Sequence, residues 1–214
     1  MIKNLNLFLY LIIIIISIKS QKAFGQFENF ILKKWIVSQK TEVDFNKDGY
    51  LDYLIFIDSV DNNNSENKRD ILIIHGSING LYLATNNSMF FTDGKQFIDA
   101  EDVSITVKGN VIYMGIGDRS LGLGCNGGQS FTIRFQNNNW YVIGCGWNCQ
   151  TIVYQEDEIE QSLENRSYSY NLVTGNSEYI EKIDSKVTKK ILDNHKIKLP
   201  LFSEYNGECE SLPY

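Results

Sequence analysis

Apolar and polar residues alternate with a period of two over several stretches of this chain, and two of them read directly as hairpins. Val103-Ser104-Ile105-Thr106-Val107 alternates, Lys108-Gly109-Asn110 turns, and Val111-Ile112-Tyr113-Met114 returns. Phe131-Thr132-Ile133-Arg134-Phe135 alternates in the same way, Gln136 to Asn139 turns, and Trp140-Tyr141-Val142-Ile143-Gly144 comes back. With Asn137-Asn138 as a two-residue turn, Phe135 faces Trp140, Ile133 faces Val142 and Phe131 faces Gly144, giving the ribbon one buried face. Continuing that register sets Cys149 opposite Asn126, beside Cys125. Earlier in the chain, Tyr53-Leu54-Ile55-Phe56-Ile57 and Asp70-Ile71-Leu72-Ile73-Ile74 are short apolar runs rich in β-formers, read as buried strands. Between them, Asp58 to Arg69 is polar and Asn-rich and predicts an exposed loop. Asn79-Gly80 marks a turn before the partner strand Leu81 to Ala84, and Phe30 to Val37 forms the first structural segment.

Beyond Cys149 the pattern fades. Gln155 to Glu160 reads as a solvated acidic loop, and Ser167 to Leu172 with Thr174-Gly175-Asn176 as a strand and its turn. Ile180, Ile183, Val187 and Ile191 fit a helix face and extended segments alike. The expectation is an all-β fold, mainly an antiparallel sheet of hairpins, propeller-blade-like or sandwich-like, with little helix. No internal repeat or linker divides the chain, so residues 26–214 are expected as a single β-rich domain, less regular from about 177.

The N-terminus changes where this domain is expected to work. Lys3, an apolar run from Leu7 to Ile16, then Ala23-Phe24-Gly25 describe a secretory signal peptide over residues 1–25. Retention as a membrane anchor is the alternative, but a spanning helix needs roughly 20 apolar residues and Ser17, Lys19, Ser20, Gln21 and Lys22 interrupt this one. The expected product is exported, periplasmic or extracellular, with no membrane span after cleavage. Without Lys3, Lys19 and Lys22 the chain keeps 17 basic and 26 acidic residues, a formal charge of −9. That balance argues against a nucleic-acid partner and suits cation binding.

Export permits disulfides, and all four cysteines (Cys125, Cys145, Cys149 and Cys209) lie in the C-terminal half. Four cysteines allow three pairings. The hairpin register favours Cys125–Cys149, leaving Cys145–Cys209. Zinc is the competing use, but the Cys145-x3-Cys149 spacing without a nearby His matches zinc sites poorly.

The segment with the sharpest chemistry is Asp44-Phe45-Asn46-Lys47-Asp48-Gly49-Tyr50-Leu51-Asp52. Side-chain oxygens fall at loop positions 1, 3, 5 and 9, Gly at 6, and the Tyr50 carbonyl at 7, a spacing suited to wrapping a hard cation such as Ca²⁺. Phe45 and Lys47 point away. An Asp/Asn/Gly turn without metal is the alternative. An EF-hand loop ends in a bidentate Glu at position 12, where this chain has Ile55, and the flanks read as strands. A helix–loop–helix sensor is therefore not expected; a structural clip of about 10⁻⁴–10⁻³ M affinity is.

Asp44-x-Asn46-x-Asp48-Gly49-x-x-Asp52 followed by an apolar strand resembles the calcium loops of FG-GAP and VCBS-type repeats. A wider likeness, from the lead-in Phe30 to Trp35 through Ile71 to Ile74, Trp140 to Gly144 and Asn171 to Gly175, is to small exported bacterial VCBS-repeat-containing proteins. The resemblance implies loops set between β-strands, a structural Ca²⁺ and no particular activity. With a single copy of the loop, a multi-blade propeller is not expected.

Other candidates are weaker. His75 precedes Gly76 at a strand end, where a surface or turn role is expected, and His195 lies in a polar stretch. Gly122 to Gly128 lacks the Lys-Ser/Thr of a phosphate loop and reads as a strand connection. Trp140 and Trp147 suit either a sugar-binding surface or, for Trp140 especially, the core. The function expected is that of a calcium-binding module engaging an unknown protein or glycan partner. A secreted hydrolase with an unidentified carboxylate site and an inhibitor or immunity-type protein are the alternatives; an enzyme is the less favoured class.

Overall fold

A computed structural model describes residues 27–60, 68–88, 103–118, 126–154, 161–183, 186–192, 198–207 and 209. The expected signal peptide at 1–25, the acidic run at 155–160, Cys125, His195 and most of the Asn-rich loop lie outside the described residues. After a 3-10 turn at Phe27–Phe30, four strands form an antiparallel meander in the order β1 (Trp35–Val43), β2 (Asp52–Ser59), β3 (Arg69–His75) and β4 (Tyr82–Asn87). The second sheet contains β5 (Val103–Lys108), β6 (Val111–Asp118), β7 (Asn126–Gln136), β8 (Asn139–Tyr154), β9 (Gln161–Asn171), β10 (Asn176–Ile183) and β11 (Lys186–Leu192). Its seven strands lie in sequence order, every neighbour antiparallel. The all-β expectation holds, in its sandwich-like form.

The two sheets share one core. Leu54, Phe56, Ile71 and Ile73 of the first pack with Ile112, Met114, Phe131, Ile133 and Val142 of the second. The opposite face of the first sheet carries Tyr53, Ile55, Ile57, Leu72 and Ile74, covered by Phe27, Phe30, Ile31, Trp35 and Leu81. Burial on both faces is why β2 and β3 read as unbroken apolar runs rather than alternating ones. Asp58 and Arg69 face each other where the two strands meet their loop, and Arg69 donates two bonds to the carboxylate, Nε to Oδ1 at 2.7 Å and Nη2 to Oδ2 at 3.0 Å. Both residues are buried, so each charge relies on the other.

The first segment is not one continuous strand from Phe30. Lys34 takes a left-handed φ of 70°, which separates the 3-10 turn from β1. Asn137 and Asn138 adopt φ of 50° and 60°, the left-handed pair of a type I′ turn, and Phe135 and Ile133 face Trp140 and Val142 as the alternation implies. From there the register departs from expectation. An extra residue at Ile143 makes Phe131 face Cys145 rather than Gly144, and Cys149 lies opposite Gly127 rather than Asn126. This bulge switches the inward parity of β8 from Trp140 and Val142 to Cys145, all three buried. Regular structure also continues past 177. Ile180, Ile183, Val187 and Ile191 lie on the β10–β11 hairpin, which settles them as extended.

The C-terminal segment closes the core beside β8. Tyr141 bridges Leu201, and the Val142 N–H donates to the Pro200 carbonyl at 3.1 Å. Buried Asn87 donates to the carbonyls of Phe202 and Tyr205, and both aromatic rings are buried. Cys145 is joined to Cys209 across 64 residues of sequence. Cys149 is also disulfide-bonded; its expected partner Cys125 is outside the described residues. Replacing Cys145 and Cys209 together by Ser should lower unfolding free energy by about 2–4 kcal/mol, because the closed loop is long. Urea denaturation of the oxidised proteins reads this difference directly.

Candidate metal loop and the polar cluster beneath it

The loop between β1 and β2 is built by side chains folding back onto its own backbone. Asp48 N–H donates both to Asp44 Oδ1 at 3.1 Å and to Asn46 Oδ1 at 3.0 Å, so these two oxygens converge on one point. Gly49 N–H reaches Asp44 Oδ2 at 2.9 Å, and Tyr50 N–H reaches Asp48 Oδ1 at 2.9 Å. Asn46 Nδ2 donates to Asp48 Oδ2 at 3.0 Å. Left-handed φ values at Lys47 (62°) and Gly49 (88°) bend the chain tightly enough for these bonds. Gly49 suits that conformation without a Cβ penalty, which explains the glycine in the sixth position.

Phe45 points away from the oxygens, as its spacing implies, and enters the core. Its ring meets Trp140 edge-on with centroids 5.2 Å apart. Across the loop, a Cβ at Gly109 would lie 3.6 Å from Lys47 Cε, so the loop also lies against the β5–β6 turn of the other sheet.

Asp52 differs from the other loop acids. It is wholly buried, and its carboxylate accepts the Phe45 N–H (Oδ2, 2.8 Å) and the Gly76 N–H (Oδ1, 2.8 Å). One side chain thereby ties the loop to the ends of β2 and β3. Gly76 is required by this closeness, since a Cβ there would lie 2.4 Å from the Leu51 carbonyl oxygen. Burial raises the Asp52 pKa above its ordinary 3.8, while the Gly76 N–H, His75 and the Phe45 and Asn46 N–H groups oppose the shift. Among the described residues, no three acidic, imidazole or thiol side chains form a metal-holding group.

The expectation of a surface or turn position for His75 is corrected. It is buried, packed edge-on against Tyr82, Phe135 and Trp140. Trp140 Nε1–H donates to His75 Nε2 at 3.1 Å, linking β8 to β3 through the core. An indole nitrogen only donates, so Nε2 must carry a lone pair. The ring proton then sits on Nδ1, which donates to the Tyr82 hydroxyl at 3.3 Å. Burial lowers the His75 pKa below 6.5, with Asp52 and Asp48 opposing. Trp140 is a core residue, and Trp147 is half-buried, its ring meeting Tyr179 edge-on with centroids 6.4 Å apart.

The fold and the loop together define an antiparallel β-sandwich with an oxygen-lined loop clipped to its core. No protein-family profile, curated protein or solved structure matches this chain.

Two measurements separate the roles described. Asp52→Ala orphans two buried N–H groups and should cost about 2–5 kcal/mol in chelator. Asp48→Ala, at an exposed position, should cost under about 1 kcal/mol there. For His75, the unfolded chain takes up a proton below 6.5 that the folded chain refuses, so stability is lost as pH falls from 6.5 toward the lower folded pKa. Asp52 acts with opposite sign, its raised pKa favouring the fold as pH falls through it toward 3.8. Comparing denaturation midpoints of the protein and His75→Gln between pH 7 and 5 isolates the imidazole; the wild-type midpoint should fall more steeply.

Proposed function

We propose that this protein is an exported β-sandwich, stapled by calcium at Asp44 to Asp52, that serves as a binding or structural module of the cell envelope or extracellular space. The observation that carries the calcium assignment is the convergence of Asp44 and Asn46 oxygens on a single N–H, with Asp48 hydrogen-bonded to Asn46. These are hard oxygen donors of the kind calcium takes. Asp44, Asn46 and Asp48 would hold the ion with the Tyr50 carbonyl. Asp52 would join them through lone pairs left after its two N–H bonds, since a carboxylate offers about four acceptor sites. Bound calcium would supply positive charge between acids that otherwise rely on backbone N–H dipoles.

Its role is that of a clip. The loop's anchors, Phe45 and Asp52, are buried in the core, so the ion's binding energy would go into the fold. Cys145–Cys209 supports the exported location, because such a crosslink persists in oxidising compartments. The N-terminal signal-type sequence supports export. On the described residues, no helix is long and apolar enough to cross a membrane.

Thermal melts in calcium and in chelator test this. At ten times the dissociation constant, calcium should stabilise the protein by about 1.4 kcal/mol. Asp48→Ala should abolish the response. A melt that does not move, together with no heat on calcium titration, would falsify the assignment.

A further inference from the structure

The outer face of the seven-stranded sheet carries a trough that the calcium loop does not account for. Its register builds it. Ser130, Gly146, Ser169, Glu178 and Ile191 lie directly opposite one another across β7 to β11, and Thr132, Gly144, Asn171 and Asn176 form a second row from β7 to β10. Both β8 positions are glycine, so the floor drops at β8 between short hydroxyl and amide side chains. The resulting cavity is about 600 Å³, and Arg134, Thr132, Ser169, Asn171 and Glu178 are among its walls. That volume falls within the roughly 300–1,000 Å³ of small-ligand sites.

Charge then narrows the ligand. Glu178 is paired with Lys189 at 2.5 Å. Arg134 forms no ion pair with the described residues, and its Nε is enclosed without a hydrogen-bond partner. The guanidinium as a whole is half-buried, so a planar anion entering the trough would pair with its terminal nitrogens rather than with the enclosed Nε. The remaining walls offer alternating hydroxyls and amides, with Val173 and Ile191 as apolar ledges.

We propose that this trough binds an acidic saccharide, its carboxylate at Arg134 and its hydroxyls along the Ser130–Ser169 and Thr132–Asn171 rows. A peptide carboxylate shares the charge but would leave the hydroxyl rows unused, so the saccharide is the better fit. The chain's overall negative charge acts weakly over the distances involved, because exposed charges are screened beyond about 8–10 Å at physiological salt. The proposal deepens the binding-module assignment and uses no residue of the calcium loop.

The test is titration calorimetry with digalacturonic acid, neutral digalactose and triglycine, on the wild-type protein and on Asp48→Ala. Digalacturonic acid should bind, and digalactose should bind about 10- to 100-fold more weakly, the range expected for one charge-assisted interaction. Arg134→Met should reduce digalacturonic acid to the digalactose level with an unchanged melt. Gly144→Ala should weaken both saccharides. A methyl there would meet Tyr170 O at 3.4 Å and Thr132 Oγ1 at 3.6 Å, so it fits the backbone while raising the floor.

No binding of digalacturonic acid, equal binding of the two saccharides, or tighter binding of triglycine overturns the proposal. So does a folded Arg134→Met that binds as wild type does. If Arg134→Met does not fold, Gly144→Ala decides, and saccharide binding unchanged in that variant overturns the proposal. Asp48→Ala should keep saccharide binding while losing the calcium response, so failure of one assignment is distinguishable from failure of the other.

Discussion

The indole N–H of Trp140 needs an acceptor inside an apolar core, and the His75 ring provides it. An unpaired indole donor would be costly there, so this bond fixes how β8 and β3 face each other and which tautomer the histidine keeps. Around it the pieces interlock: Phe45 lies edge-on to Trp140, Phe135 packs against both rings, and Tyr82 takes the second imidazole nitrogen. Asp52, one of the charges acting on His75, carries the constraint outward to the loop through Phe45 and Gly76. The loop is therefore an extension of the core's polar cluster, and its conformation is specified by packing as well as by its own turn chemistry.

Much of this was legible in residue order. The hairpin at Asn137-Asn138 could be read because asparagine tolerates left-handed backbone and the flanking residues alternate. The continuous apolar runs of β2 and β3 announced burial, although not that Phe27, Phe30 and Trp35 would cover their second face. The bulge was hidden because Val142-Ile143-Gly144 supplies an apolar residue at either parity, so alternation alone cannot say where the extra residue sits. The β10–β11 hairpin was obscured for another reason. Ile183, Val187 and Ile191 are exposed and Ile180 is half-buried, and such positions carry no clear inside–outside pattern.

The site divides along the same line. The spacing of Asp44, Asn46, Asp48 and Gly49 was readable because those contacts span at most five residues. The position of Asp52 was not, since its second partner, Gly76, is 24 residues away in sequence. His75 was misjudged because its neighbours in the chain are a strand end and a glycine, while its burial comes from residues 60 and 65 positions later. The polar trough was unreadable for lack of any motif. It exists because the glycines of β8 fall into register with short hydroxyl and amide side chains on the two neighbouring strands.

The extra residue at Ile143 also determines where the chain can change length. Upstream of it, even-numbered positions of β8 face the core; downstream, odd-numbered ones do. Removing that residue would pull the two halves into a common phase, so either Trp140 and Val142 or Cys145 would be expelled to the wrong face. A deletion or insertion at this point is thus a rotation of half a strand, with the crosslink to Cys209 or the bond to His75 lost as its result. Chain-length variation of the same size in the β5–β6 turn would disturb neither, and over generations the two places should record very different histories.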